Sequence, residues 1–579
     1  MSFDTRLSPS RVSAAAASEF PRWALFALLV AYIGAGLFGR DPWSGDGALG
    51  LGIISSMVEG GSSAWWLPTA AGEWIAEEGP LPFWVGAMFV HVLGPLVGDA
   101  QAARLSCVIW FALATTALWY ATYRLARRTE AQPVSFAFGG EAKPRDYGRM
   151  LADIAVLLFL GTLGIVIRLH EVNAEPAAMA FGALALYGLA LAIDSPRRGA
   201  LVAGLAIGAL ALSRGPWIGL WLLTAALVAF KWIVPGIQRR HVALLALCAM
   251  SVAAIWPAGM LTTAPQARAE FISSWLFNFG RTLDWPQPDA LAWIARNFAW
   301  YCWPLWPLAA WTLYAWRHAL KLPHVALPAL VFAGFVPPML LHSPVSDSSL
   351  ILLIPPMVLL AAFGATSLRR SLDNLVDWIA IATFTLLGLA AWAYFVAMTT
   401  GSPPKMAASV FRLVPGFDVE ARPVALAIAL AASLGWLVLV IWRLARRPPM
   451  LWRGAALAGY GLTMLWLLLV TLFLPAVNYS RTYAPLAADV RQQISLLAPA
   501  GGCIQGYRMS AAVKSLFAHH AGLKFAPPES RDQCDLLLHR DSRRSQIDDG
   551  PPPGNWVEQW HGGWPARPDE VFRLYRRGG

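Results

Sequence analysis

Runs of mostly apolar residues, broken by short polar stretches, recur from Trp23 to Pro475. Each is roughly 17 to 25 residues long, the length a helix needs to cross about 30 Å of hydrocarbon. The runs predict spans at 22–39, 103–124, 150–168, 176–194, 198–213, 216–234, 241–262, 297–316, 325–342, 349–366, 375–398, 424–444 and 454–475. Pro and Gly interrupt several of them, which bundled membrane helices tolerate. After Asn478 the pattern changes: charge rises, long apolar runs vanish, Asp535-Leu536-Leu537-Leu538 reads as a buried strand and Ser510 to His519 as a helix. The expected fold is therefore an all-α polytopic membrane bundle of about thirteen transmembrane helices, followed by a small C-terminal α/β domain.

The domain plan follows from the same pattern. Residues 1–21 are Ser- and Ala-rich and read as a disordered cytoplasmic N-terminus, 22–475 as the membrane domain with a long outer loop at 40–102, and 476–579 as a soluble exported domain. The stretch 129–148, with Pro133, Gly139, Gly140 and Pro144, reads as a flexible cytoplasmic insertion. No cleavable secretory signal is expected, because the first apolar run is full length and lacks a small-residue cleavage site after it.

Composition and charge fix the class and the orientation. With 57% hydrophobic and 14% charged residues and a mean hydropathy of +0.51, the chain is excluded from the water-soluble globules. The net charge of +11 does not point to nucleic acid, because Arg and Lys cluster in alternate loops. Those clusters, such as Arg124, Arg127, Arg128 and Arg149, Lys231, Arg239 and Arg240, or Arg443, Arg446, Arg447 and Arg453, mark the inside face. The loops around Asp46, Glu175, Arg214, 263–296, Asp347 and 399–422, and everything after Pro475, then face outward. Leu81 to Val97 breaks the alternation if it spans, so it reads as a helix along or dipping into the outer interface, with a plain span as the rival.

Two residue types refine the picture. Most of the 29 tryptophans lie near span ends, where amphipathic rings settle at headgroup level; Trp43, Trp65, Trp66 and Trp285 lie outside, best placed to stack on a sugar. Cys107, Cys248 and Cys302 fall in or beside membrane helices as buried thiols, whereas Cys503 and Cys534 lie in the exported tail, where an oxidising compartment favours a disulfide.

An ionisable residue at the membrane is costly to keep, which makes each a candidate for function. On the outer side these are Asp46, Glu77 and Glu78 ahead of Pro80 and Pro82, the stretch Arg168-Leu169-His170-Glu171-Val172-Asn173-Ala174-Glu175-Pro176, Arg214 and Arg281. Each has a plainer reading: Asp46 as the N-cap of a helix from Ala48, Glu175 as a first-turn acid, and the arginines as headgroup anchors. His170 beside Glu171 suggests a metal pair, but adjacent helical residues do not face one another and a third ligand is missing. No cofactor is expected.

The order of these pieces resembles the polyprenyl-phosphate-sugar-dependent membrane glycosyltransferases of the GT-C fold, the family of lipid A aminoarabinose transferase and the protein O-mannosyltransferases. The resemblance runs loosely over 20–480 and rests on an outer-loop acid at Asp46, an acidic Pro-rich stretch at Glu77-Glu78-Gly79-Pro80-Leu81-Pro82-Phe83-Trp84, an acid after the third helix at Glu175, Ser213-Arg214-Gly215 before the sixth, and Asn278-Phe279-Gly280-Arg281. Departures stand beside it. Gly47 follows Asp46 where Glu is usual, Glu78 replaces a phosphate-contacting lysine, Arg214 replaces Lys and Glu175 replaces Asp. Asp347-Ser348-Ser349-Leu350-Ile351-Leu352 occupies the place of an Arg-x-x-Tyr.

The resemblance implies an inner-membrane, inverting transferase that moves a sugar from an undecaprenyl-phosphate-linked donor to a lipid, glycan or protein acceptor on the periplasmic side. The leaving phosphate needs cations, for which Arg214, Arg281 and Arg168 are candidates with guanidinium forks suited to phosphate. A hydroxyl acceptor needs a base, Asp46, with Glu175 beside it; Glu78, His170 and Trp43 are candidate substrate contacts. A catalytically degenerate relative acting as a scaffold in envelope glycan assembly is the alternative. A polyprenyl-lipid transporter ranks last, because the polar residues gather at the outer ends rather than at the midplane.

Overall fold

The computed structural model describes residues 8–43, 45–75, 78–342, 345–420, 422–446, 449–497, 503–527, 534–542, 554–564, 567 and 569–578. Glu77 and Arg447 lie outside these residues. Every predicted span is mainly helical, with interruptions at 161–164 and 302–304, and among the described residues eight helices are long and apolar enough to cross a membrane. The chain is a multi-pass membrane protein. Leu81–Val97 is a seventeen-residue apolar helix that leaves Met88, Val92 and Leu96 exposed. Proline opens many of the helices, at Pro144, Pro196, Pro216, Pro265, Pro288 and Pro323, where its missing N–H has no intrahelical partner to lose.

Small residues set the packing of the bundle. Helix Glu175–Asp194 lies against Pro196–Arg214 so closely that a Cβ at Gly188 would sit 2.5 Å from the Ala203 nitrogen. Pro196–Arg214 in turn meets Arg239–Ala253, where a Cβ at Gly204 or Gly208 would run into the carbonyls of Leu245 or Ala249. Within hydrocarbon, where burial from water drives nothing, such backbone approach is a main source of helix association.

Residues 8–21, expected to lack structure, lie on the bundle instead. Val12 and Ala17 are buried, the Ser10 hydroxyl meets that of Thr366 at 3.0 Å, and backbone bonds from Val134 to Ser10, Ala142 to Val12 and Ala14 to Gly140 tie this segment to the insertion expected to be flexible. Pairing with each other satisfies backbone groups that neither segment could satisfy alone.

The first long loop is mostly helical: Asp46–Glu59, Gly61–Trp66, Leu81–Val97 and Asp99–Leu105, with a hairpin of Thr69–Ala70 and Glu73–Trp74 between. The C-terminal domain is a four-stranded sheet. Ile504–Tyr507 runs parallel to Leu536–Ser542, which pairs antiparallel with Glu570–Arg577, and Trp556–Gly562 completes the edge. Helices Ala484–Leu497 and Ala511–Ala521 pack with it, and Cys503 is joined to Cys534 by a disulfide. Ala48, from the first loop, is buried in this domain's own core beside Tyr483 and Phe517.

Candidate active site

Arg168 is the centre of a carboxylate cluster. Its side chain follows the short Ile165–Arg168 turn. It donates to Asp46 at 2.9 Å, Glu171 at 3.3 Å and Asp347 at 3.4 Å, and its Nε lies 3.7 Å from Glu175 Oε2. The chain brings these acids together from three separate places. Asp46 is the first residue of helix Asp46–Glu59 and Glu175 the first of Glu175–Asp194. Asp347 opens the Asp347–Leu350 turn. Gly45, at φ +120°, precedes Asp46 and makes no side-chain cap; the Asp46 carboxylate turns to Arg168 rather than to its own helix amides. Acids at two helix N-termini also meet the partial positive charge there.

Exposure separates the two carboxylates. The Asp46 side chain is 58% exposed, whereas that of Glu175 is 2% exposed and its Oε2 accepts no hydrogen bond. Behind Arg168, Glu171 also takes Arg40 at 3.1 Å, and buried Arg104 donates to the Leu37 and Arg40 carbonyls.

Asp46 and Glu175 line a cavity of about 300 Å³ together with Glu78 and Arg214. Arg214 ends helix Pro196–Arg214, a position that suits a cation, and Gly215, at φ +89°, turns the chain into the next helix. Arg214 donates to Glu78 at 2.7 Å and to the Ser348 hydroxyl at 3.2 Å, and Ser348 meets Ser346 at 2.6 Å. Gly79 locks the Glu78 side: its N–H donates to Ser213, and a Cβ there would lie 2.0 Å from the Leu212 carbonyl oxygen. The remaining wall is apolar, with Trp217, Trp275, Phe279, Phe335 and Met339.

Other predicted site residues go elsewhere. Arg168, expected at the carrier phosphate, commits its N–H groups to carboxylates. Arg281 is exposed on the outer side of helix Pro265–Thr282, its guanidinium 5.6 Å from the Phe277 ring, while Asn278, Phe279 and Thr282 of the same helix face the cavity. His170 is fully buried, with Nδ1 2.6 Å from the Val166 carbonyl and Nε2 3.0 Å from that of Tyr32. Burial pushes its pKa down to about 4, and both ring nitrogens are spent on backbone carbonyls, so it is a structural pin rather than a substrate contact. Trp43 stacks between Arg40 and Arg481 and donates to Asn478, joining the loop to the Leu474–Arg481 helix instead of facing the cavity.

Sequence reasoning passed over three participants: Glu171 and Asp347 as partners of Arg168, and Ser348 as a partner of Arg214. Glu171 and Asp347 stood inside stretches already singled out as acidic or as departures, which was the available signal. Among the described residues no group of three or more His, Cys, Asp or Glu is arranged to hold a metal ion.

No family model matches the chain, and no curated protein matches it in sequence. Solved structures do match in fold. ArnT from Cupriavidus metallidurans, solved bound to undecaprenyl phosphate and in the apo state, superposes in both forms with a TM-score of 0.65. Each covers 95% of this chain and 97% of that one, at 15% sequence identity. The chain has the ArnT-like GT-C fold. The apo oligosaccharyltransferase of Archaeoglobus fulgidus is also similar, at 10% identity over 88% of this chain and 65% of that one, with a TM-score of 0.42.

Proposed function

We propose that the protein is a membrane glycosyltransferase that moves a sugar from an undecaprenyl-phosphate-linked donor to a lipid, glycan or protein acceptor at the periplasmic face of the inner membrane. The observation that carries this reading is that Asp46 and Glu175 share one guanidinium at the edge of a cavity whose other wall carries Arg214. ArnT, similar in fold over nearly the whole chain, binds undecaprenyl phosphate in one of its structures.

In this reading the sugar C1–O bond to the carrier phosphate breaks as the acceptor oxygen attacks from the opposite face. Arg214, with the Ser348 hydroxyl, meets the charge that builds on the leaving phosphate. Asp46, exposed and oriented by Arg168, takes the acceptor proton. Glu175 holds Arg168 from the buried side, and the wall of Trp217, Phe279 and Phe335 covers the first isoprene units. Binding requires the carrier phosphate to take the place of Glu78 on Arg214.

The test is lipid analysis of a deletion strain. The reading predicts an accumulated polyprenyl-phosphate sugar and an acceptor lacking one residue, both reversed by the intact gene. One observation favours the scaffold alternative: Asp46, Glu78, Glu171, Glu175 and Asp347 outnumber Arg40, Arg168 and Arg214 at the site, an unwelcoming balance for a phosphate. Unchanged donor and acceptor pools in the deletion strain would decide for that alternative.

A further inference from the structure

Lys514 sits in the middle of helix Ala511–Ala521, yet only 1% of it is exposed. A buried ammonium is costly unless it is paired. Its stem runs over Gly506, where an added Cβ would come within 2.5 Å of Lys514 Cε, and its amine donates to Glu73 Oε1 at 2.6 Å. Glu73 is not part of the C-terminal domain. It belongs to the hairpin of the first loop, the loop that carries Asp46.

Two further contacts lie along the same seam. Helix Ala511–Ala521 packs on helix Asp46–Glu59 so closely that a Cβ at Gly52 would lie 2.0 Å from the Ser515 hydroxyl, and Ala48, two residues from Asp46, is 1% exposed within the C-terminal core. Trp74, next to Glu73, stands edge-on to Phe271 of helix Pro265–Thr282, whose Asn278 and Phe279 line the cavity. The seam therefore joins the C-terminal domain to the element that begins at Asp46 and to a helix of the cavity wall.

We propose that Lys514 is a positioning residue: through Glu73 it locks the C-terminal domain onto helix Asp46–Glu59 and so holds Asp46 against Arg168. This rests on the reading of Asp46 as the base of a sugar transfer. Displacing a reacting group by about 1 Å can cost on the order of a hundredfold in rate, so a latch this far from the chemistry is felt in turnover more than in binding.

The experiment uses the full-length protein in membranes with two readouts. In the first, Lys514→Met, Glu73→Gln and the double variant are compared for sugar transfer. The latch predicts that each single variant lowers kcat roughly tenfold or more, that KM for the lipid donor stays within about twofold, and that the double variant is no worse than either single one. Additive losses, or full turnover in both singles, overturn it. The second readout does not depend on activity. In Gly47→Cys the new thiol faces Glu171, since a Cβ at Gly47 lies 3.9 Å from that side chain. Its alkylation by a maleimide, mapped by peptide mass, is predicted to speed up several-fold when Lys514→Met or Glu73→Gln is added, with the Cys503–Cys534 bond intact. An unchanged rate overturns the proposal. Should Lys514→Met fail to accumulate, Glu73→Gln carries the same decision. If the unaltered protein transfers no sugar, the functional reading fails while the alkylation arm still decides the latch.

Discussion

Arg168→Gln removes the hub of the site and leaves its acids facing one another. The Arg168 side chain is 22% exposed and that of Glu175 2%, with 3.7 Å between Nε and Oε2. Burial pushes the Glu175 carboxyl up to about 8, so at an effective dielectric near 20 the attraction of about 4 kcal/mol belongs to its ionised form, above that pH. The fully solvent-facing part of the cluster adds little: Asp46 is 58% exposed, and such pairs contribute about 0 to 1 kcal/mol. Breaking a buried pair by deleting one partner costs about 3 to 5 kcal/mol because the other charge is stranded. Arg168→Gln is therefore expected to lower the unfolding free energy by about 3 kcal/mol. Adding Glu175→Gln is expected to restore about half of that, since it removes the stranded carboxylate. Glu175→Gln alone should cost less than Arg168→Gln, because Glu171 and Asp46 remain to pair the guanidinium. Purified protein in detergent at about pH 9, where Glu175 is ionised, unfolded by titration with sodium dodecyl sulfate and followed by Trp fluorescence, gives the four values. A loss below about 0.5 kcal/mol in Arg168→Gln, or a double variant no more stable than that single one, would refute the account of the cluster.

Three other outcomes are expected. Burial lowers the His170 pKa from 6.5 to about 4. Its contribution is therefore intact above pH 6.5 and lost as pH falls toward 4, a swing of about 3 kcal/mol that His170→Asn should remove from the stability-versus-pH curve. Gly79→Ala places a methyl group against the Leu212 carbonyl and should shift Glu78 off Arg214, which leaves Arg214 open to the carrier phosphate and lowers KM for the lipid donor, whereas Gly34→Ala serves as a control for a glycine with open space around it and no positive φ. Replacing Cys503 and Cys534 by serine opens a loop of about thirty residues and should destabilise the C-terminal domain by about 2 to 4 kcal/mol, read as faster limited proteolysis after Asn478 with the membrane helices unaffected.

The spans were legible because the rule that makes them is local: a helix in hydrocarbon must satisfy its own backbone and cover it with apolar side chains. The same rule brought Asp46 and Glu175 forward, since acids at span ends are conspicuous against an apolar background. The pairing of those acids was not legible. Arg168 and Asp46 are 122 residues apart and Arg168 and Asp347 are 179 apart, and no local periodicity encodes which charges meet across helices. Thus Arg168 read as a phosphate ligand and is a carboxylate hub. Arg281 lies off the cavity for a different reason. On a helix, one step of sequence turns the side chain by about 100°, so Asn278, Phe279 and Thr282 can face a cavity while Arg281 faces away. Residues 8–21 misled by composition: Ser and Ala suggested disorder, but the backbone of this segment finds partners in 134–142.

The most direct test of the central claim is sugar transfer by purified protein from a radiolabelled undecaprenyl-phosphate sugar, comparing the unaltered chain with Asp46→Asn at equal abundance in nanodiscs. The account predicts that the unaltered protein releases undecaprenyl phosphate and labels an acceptor, and that Asp46→Asn loses at least a hundredfold, on the order of what a positioned general base supplies. Full turnover in Asp46→Asn would contradict it.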